Sequence, residues 1–148
     1  MFLSGQNDAQ GILTLDWTTM EYTKHSSQLT SDRRESACAM LKGPSGEKLV
    51  AVASGRSTGL EVWNPENGSV RTLTPDFPPI SGDSRTAQLI SVAGGSELIS
   101  YQSISTSSIL AKGIWKYHAA NNTWTQLGEM LAGRDDFAVL PVQGVSCP

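Results

Sequence analysis

No run of about 18 apolar residues occurs in this sequence, so no helical membrane span is predicted. Basic residues are few. Eleven Lys and Arg stand against 14 Asp and Glu, a net charge of −3. With pI near 5.3 there is no electrostatic footprint for nucleic acid. Charged residues make up 17% and hydrophobic residues 39%. That excludes a disordered chain and leaves material for a core. Helical periodicity is missing too: no stretch of about 11 residues keeps its apolar positions three and four apart.

Cysteine is scarce. Cys38 and Cys147 are far apart and lack metal-ligand spacing. Cys38 lies in Ser36-Ala37-Cys38-Ala39-Met40 and reads as a buried thiol, packed as a small hydrophobe. A Cys38–Cys147 disulfide stays open, and two thiols do not place a compartment. The start, Met1-Phe2-Leu3-Ser4-Gly5, lacks the basic and long apolar regions of a signal peptide and reads as a strand. Two glycosylation sequons begin at Asn67 and Asn121, both in expected turns, which recruit these residues for their own reasons.

Catalytic patterns are missing as well. His25 and His118 are isolated, sit by expected turns and read as solvated surface residues. No His-x-x-x-His or Cys-x-x-Cys spacing supports a metal. Gly43-Pro44-Ser45-Gly46-Glu47-Lys48 lacks phosphate-loop spacing and reads as a hairpin turn. No Gly-x-Ser-x-Gly elbow occurs. Asp135-Asp136 follow Arg134 and read as a solvated loop with a local ion pair, because glycosidase carboxylates must face each other across a cleft. No catalytic residue, metal ligand or cofactor site is therefore expected.

What is present is punctuation. Fourteen Gly and seven Pro separate short runs rich in Val, Ile, Leu, Thr and aromatics. That is the pattern of an all-β chain with frequent turns. Hairpins are predicted from Ile12–Asp16 with Met20–Thr23, Ser36–Leu41 with Lys48–Ala53, and Leu60–Trp63 with Ser69–Leu73. Two more pair Ala87–Ala93 with Glu97–Ser103 and Gly113–Tyr117 with Thr123–Leu127. A single run, Phe137–Val142, remains. Asn-Gly and Gly-Gly turns between apolar runs are strong hairpin signals.

The hairpins repeat. Leu60 to Val70 lies over Ile114 to Trp124, with an aromatic followed seven positions later by an apolar residue: Trp63 with Val70, Tyr117 with Trp124. Leu15 and Tyr22 fit the same frame. The second anchors, Tyr22, Val70 and Trp124, are spaced by 48 and then 54 residues. A period near 50 with four strands per unit points to one repeat class.

On these residues the chain resembles the kelch family. Kelch blades carry an Arg before the first strand, a Gly-Gly pair ending the second, and a Tyr-(x)6-Trp pair on the third and fourth. Arg34 and Arg134 match the Arg, and Tyr117 with Trp124 match the aromatic pair. Trp63 matches its first member, but Val70 replaces the second. Ser54-Gly55 stands where Gly-Gly is expected, and Gly94-Gly95 sits one hairpin early.

The resemblance implies a partial β-propeller of four-stranded antiparallel blades. Residues 1–35 would form a partial blade, 36–80 and 81–136 full blades, and 137–148 the first strand of a further one. Closed propellers need about 4–8 blades. The chain is therefore expected to be a fragment, or to self-associate to complete the ring. The implied function is a non-catalytic protein–protein interaction module with a protein partner and no nucleic acid or membrane. The alternatives are a fragment of a propeller enzyme whose catalytic residues lie outside this chain, and a different all-β domain such as a sandwich. Insertions in such arrays map to loops on one face, often the binding face. The candidate binding residues are Arg56, Ser57 and Thr58 in one loop, and Ser105, Thr106, Ser107, Ser108 and Lys112 in the longer, Ser-rich one.

Overall fold

The computed structural model describes residues 2–3, 10–33, 36–53, 59–73, 86–103, 113–131 and 139. They form eleven strands: β1 (Phe2–Leu3), β2 (Gly11–Leu15), β3 (Tyr22–Gln28), β4 (Ala37–Lys42), β5 (Lys48–Ala53), β6 (Leu60–Trp63), β7 (Val70–Leu73), β8 (Thr86–Val92), β9 (Glu97–Ser103), β10 (Gly113–His118) and β11 (Thr123–Glu129). The chain is all-β, as its composition implied. Among the described residues no helix is long and apolar enough to cross a membrane.

Every sheet is an antiparallel meander. Sheet I has the order β1-β2-β3, sheet II β4-β5-β6-β7 and sheet III β8-β9-β10-β11. The expected run 137–142 lies outside the described residues apart from Val139, which belongs to no strand.

The seven-residue spacing has a direct structural cause. Leu15 faces Tyr22 across β2 and β3, Trp63 faces Val70 across β6 and β7, and Tyr117 faces Trp124 across β10 and β11. In the first two hairpins the loops close identically. The Asp16 amide donates to the Glu21 carbonyl (3.0 Å), and the Met20 amide to the Asp16 carbonyl (2.8 Å). The Asn64 amide donates to Ser69 and the Gly68 amide to Asn64, both at 2.8 Å. The fifth residue after the first anchor, Leu15, Trp63 or Tyr117, turns left-handed: φ is 59° at Met20, 74° at Gly68 and 53° at Asn122. Gly and Asn suit that conformation, whereas Met resists it. Asp16 and Asn64 also brace their turns, accepting from the Thr18 amide (2.7 Å) and the Glu66 amide (2.8 Å) respectively.

Sheet II is packed between the other two. On β5, Val50 and Val52 join Ile12 and Leu29 of the sheet I region, together with Trp63. The alternate residues Leu49, Ala51 and Ala53 join Leu60, Val62 and the sheet III residues Ala87, Leu89, Leu98 and Tyr117. Five consecutive residues of β5 and all four of β6 are therefore buried. Strand side chains alternate between faces, so an unbroken buried run needs cover on both. β4 packs along β8, joining the edges of sheets II and III.

Three expectations need correction. β3 starts at Tyr22 and runs to Gln28, beyond the expected Met20–Thr23, and Met20 sits in the turn. Cys38 is exposed, because Ala37 and Leu41 on β4 take the face toward sheet III and leave Cys38 and Met40 on the other. His25 is a partly buried strand residue, discussed below.

Candidate functional site

The loop residues singled out from sequence, Arg56, Ser57, Thr58, Ser105, Thr106, Ser107, Ser108 and Lys112, lie outside the described residues. So do Arg34, Arg134, Cys147, Asp135 and Asp136. Two features between sheets I and II are described in full.

The first is a buried ion pair. Arg33, in the link from β3 to β4, places its Nε 3.7 Å from Glu61 Oε2, and neither side chain has exposed surface. Arg33 Nη2 also donates to the Gly59 carbonyl at 2.6 Å. The Thr30 hydroxyl donates to Glu61 Oε1, and it lies 3.4 Å from the Thr72 hydroxyl. Burial pulls the Arg33 pKa below its ordinary value, and the Glu61 carboxylate works against that shift. A guanidinium stays protonated regardless, so the group is a charged clamp. It ties the link between two sheets to the end of β6. The kelch resemblance pointed to Arg34. The buried arginine is its neighbour, and the one signal for it was Glu61, an acid inside the apolar run Leu60-Glu61-Val62-Trp63.

The second feature is a cleft of about 590 Å³ lined by Thr14, His25, Cys38, Ala39, Met40, Val50, Trp63 and Pro65. Its walls are mostly apolar. Trp63 is 2% exposed and takes the His25 ring edge-on, with centroids 4.7 Å apart. His25 Nε2 lies 3.0 Å from Thr14 Oγ1. Met40 remains 49% exposed at the cleft. Desolvation by the surrounding side chains pushes the Cys38 thiol above its ordinary pKa, which keeps it protonated and weakly nucleophilic near neutral pH. The described residues contain no group of three or more His, Cys, Asp or Glu able to share a metal. What the cleft offers is apolar surface beside one imidazole.

Elsewhere the polar groups serve the scaffold. His118 Nδ1 lies 3.0 Å and Lys116 Nζ 3.4 Å from Glu97 Oε1, on the partly exposed face of sheet III. Both sequon asparagines brace their own turns: Asn67 Oδ1 accepts from the Ser69 amide (2.9 Å), and Asn121 Oδ1 from the Thr123 hydroxyl (2.8 Å).

No protein-family model matches the chain, and no curated protein matches it.

Proposed function

We propose that this chain is a partial kelch-type β-propeller that acts as a non-catalytic protein-interaction module. The observation that supports it best is the recurrence of one anchor pair at one register, Leu15 with Tyr22, Trp63 with Val70 and Tyr117 with Trp124, in three successive sheets. Each pair sits on the last two strands of its sheet, and each sheet packs face to face on the next. The buried Arg33 adds support, since it reaches a backbone carbonyl at the edge between two units, the role an arginine plays in the repeat. Among the described residues, the polar contacts named above brace turns, form the ion-pair clamp or link neighbouring strands. That favours a scaffold that displays loops.

The display would come from the two connections between the second and third strands of each full unit, carrying Arg56 to Thr58 and Ser105 to Lys112. These join β5 to β6 and β9 to β10, equivalent places in sheets II and III. The test is capture of partners on immobilised chain, with a variant lacking Ser105 to Ser108. Loss of a bound protein with an unchanged melting temperature supports the reading. Unchanged capture removes these loops from it, and turnover in a broad hydrolase and oxidase screen overturns the non-catalytic assignment.

A further inference from the structure

Beside the β4–β5 and β10–β11 turns, the packing of sheet II on sheet III leaves a pocket of about 150 Å³. Leu41, Leu49, Tyr117 and Ala119 are buried residues of its lining, and Leu73 of β7 adds apolar surface. An apolar cavity of that size is large enough to take up one benzene ring. The pocket is not sealed, because Pro44 and Arg71, which also line it, are exposed.

Arg71 reaches the pocket through the pleat of β7. Along that strand Val70 packs toward sheet I, and Thr72 lies 3.4 Å from the Thr30 hydroxyl. Leu73 joins the core shared with sheet III. Strand residues alternate between faces, so Arg71 shares the Leu73 side. Its charge is felt inside: burial raises the pKa of the Tyr117 phenol, and the Arg71 guanidinium pulls it back.

The repeat does not call for a cation at this place. Arg71 follows the anchor Val70, and the residues that follow the equivalent anchors Tyr22 and Trp124 are Thr23 and Thr125. Nor is its charge used up. Among the described residues Glu47 is the one acid it meets, at 3.5 Å, with the arginine side chain 54% exposed. An exposed pair of that kind contributes little. Glu47 is held by its own turn: Oε2 accepts from the Ser45 amide at 3.0 Å, and a Cβ on Gly43 would collide with the Glu47 carboxyl group. A guanidinium has five donors in a fixed fork, so Arg71 can stay against Glu47 and still take a second carboxylate.

We propose that this pocket binds one aromatic ring that carries a carboxylate on a short aliphatic tether. The ring fills the space among Leu41, Leu49, Leu73 and Ala119, and the carboxylate lies on Arg71. Burial of the ring supplies affinity, and the guanidinium selects an acid over a neutral ligand. The Tyr117 hydroxyl does not take that role, because it already donates to Asn122 Oδ1 at 2.8 Å. The same chemistry has two sources, a free arylalkanoic acid or the carboxyl-terminal phenylalanine of another chain. The site is separate from the loops of the proposed interaction module and needs only the packing of sheet II on sheet III.

The experiment is titration of the full chain with hydrocinnamate and with hydrocinnamyl alcohol, its neutral counterpart, followed by calorimetry or ligand-observed NMR. Hydrocinnamate should bind with a dissociation constant on the order of 1 mM, as its size allows. The acid should bind about tenfold more tightly than the alcohol, the gain from one charge-assisted contact. Arg71→Met should remove that advantage, leave the alcohol unaffected and leave the melting temperature unchanged. Ala119→Leu fills the pocket and should abolish binding of both. If that variant loses its β-type circular dichroism spectrum, Leu73→Phe fills the pocket from β7 in its place. Acetyl-glycyl-phenylalanine separates the sources: tighter binding than hydrocinnamate assigns the site to a chain terminus, and weaker binding assigns it to a free acid. No saturable binding of either acid overturns the proposal. So does an acid that keeps its advantage over the alcohol in Arg71→Met, or an affinity unchanged in a folded variant with the pocket filled.

Discussion

Arg33 and Glu61 meet at 3.7 Å in a place where neither side chain touches solvent. Removing one partner strands the other's charge in the interior. Arg33→Met or Glu61→Leu alone should cost about 3–5 kcal/mol in a denaturant melt, and the double replacement far less than the sum. Additive losses would mean that the two charges do not act as a pair.

Met20 should be the easiest residue to improve. It holds φ 59° at the position where the equivalent turns use Gly68 and Asn122. Left-handed backbone costs a non-glycine residue about 1 kcal/mol or more, and Met20 is 60% exposed, so little packing is at stake. Met20→Gly should raise stability by about 1 kcal/mol. Gly68→Ala should lower it, because φ is 74° and an added Cβ would stand 2.8 Å from Ser27 Oγ, which itself donates to the Gly68 carbonyl. Equal responses at the two positions would dissolve the turn equivalence.

The Tyr117–Trp124 pair separates two contributions. The rings lie 5.1 Å apart, and the Tyr117 hydroxyl donates to Asn122 Oδ1 at 2.8 Å. Tyr117 is 2% exposed, whereas Trp124 is only partly buried at the core margin. Tyr117→Phe should cost about 1 kcal/mol, the worth of the hydrogen bond. Tyr117→Ala should cost about 3–5 kcal/mol and Trp124→Ala somewhat less. A larger loss at Trp124 than at Tyr117 would reverse their assigned places. Burial also raises the Tyr117 phenol above its ordinary pKa, so its ionisation should be delayed until the sheets open in alkali.

Much of this was legible beforehand, and the reason is local. Turn residues and alternating runs located ten of the strands, and the seven-residue pairing was visible because cross-strand partners around a fixed loop keep fixed spacing. The extension of β3 beyond Thr23 is not legible in the sequence, because His25, Ser26 and Ser27 carry no apolar alternation. The exposure of Cys38 is not legible in the sequence, because β4 is apolar on both faces and only the packing of β8 decides which face is covered. The burial of Glu61 is not legible locally, because it depends on Arg33, twenty-eight positions away.

Asp16 gives the hairpin of sheet I an acid dependence. Amides of Thr18 and then Thr19 stabilise its carboxylate and hold its pKa below the ordinary value. A depressed folded-state pKa adds stability above the unfolded pKa, near 4, and that stability is lost as pH falls through the folded value. Asp16→Asn should remove this acid-side dependence and still close the turn, as Asn64 does in sheet II. Asp16→Ala should lose both, with a lower melting temperature at neutral pH. If Asp16→Asn and Asp16→Ala melt alike, the side chain does not brace the loop.

The central claim is that one sheet is covered on both faces by its neighbours. The most direct measurement is stability by denaturant melt after placing Asp, one position at a time, at Val50, Ala51, Val52 and Ala53. All four are buried, alternately toward sheet I and sheet III. The stacked arrangement predicts a loss of at least about 3 kcal/mol at every position, since each buries an unpaired charge. A two-layer sandwich would show alternation, with every second substitution tolerated to within about 0.5 kcal/mol. That alternation would contradict the account.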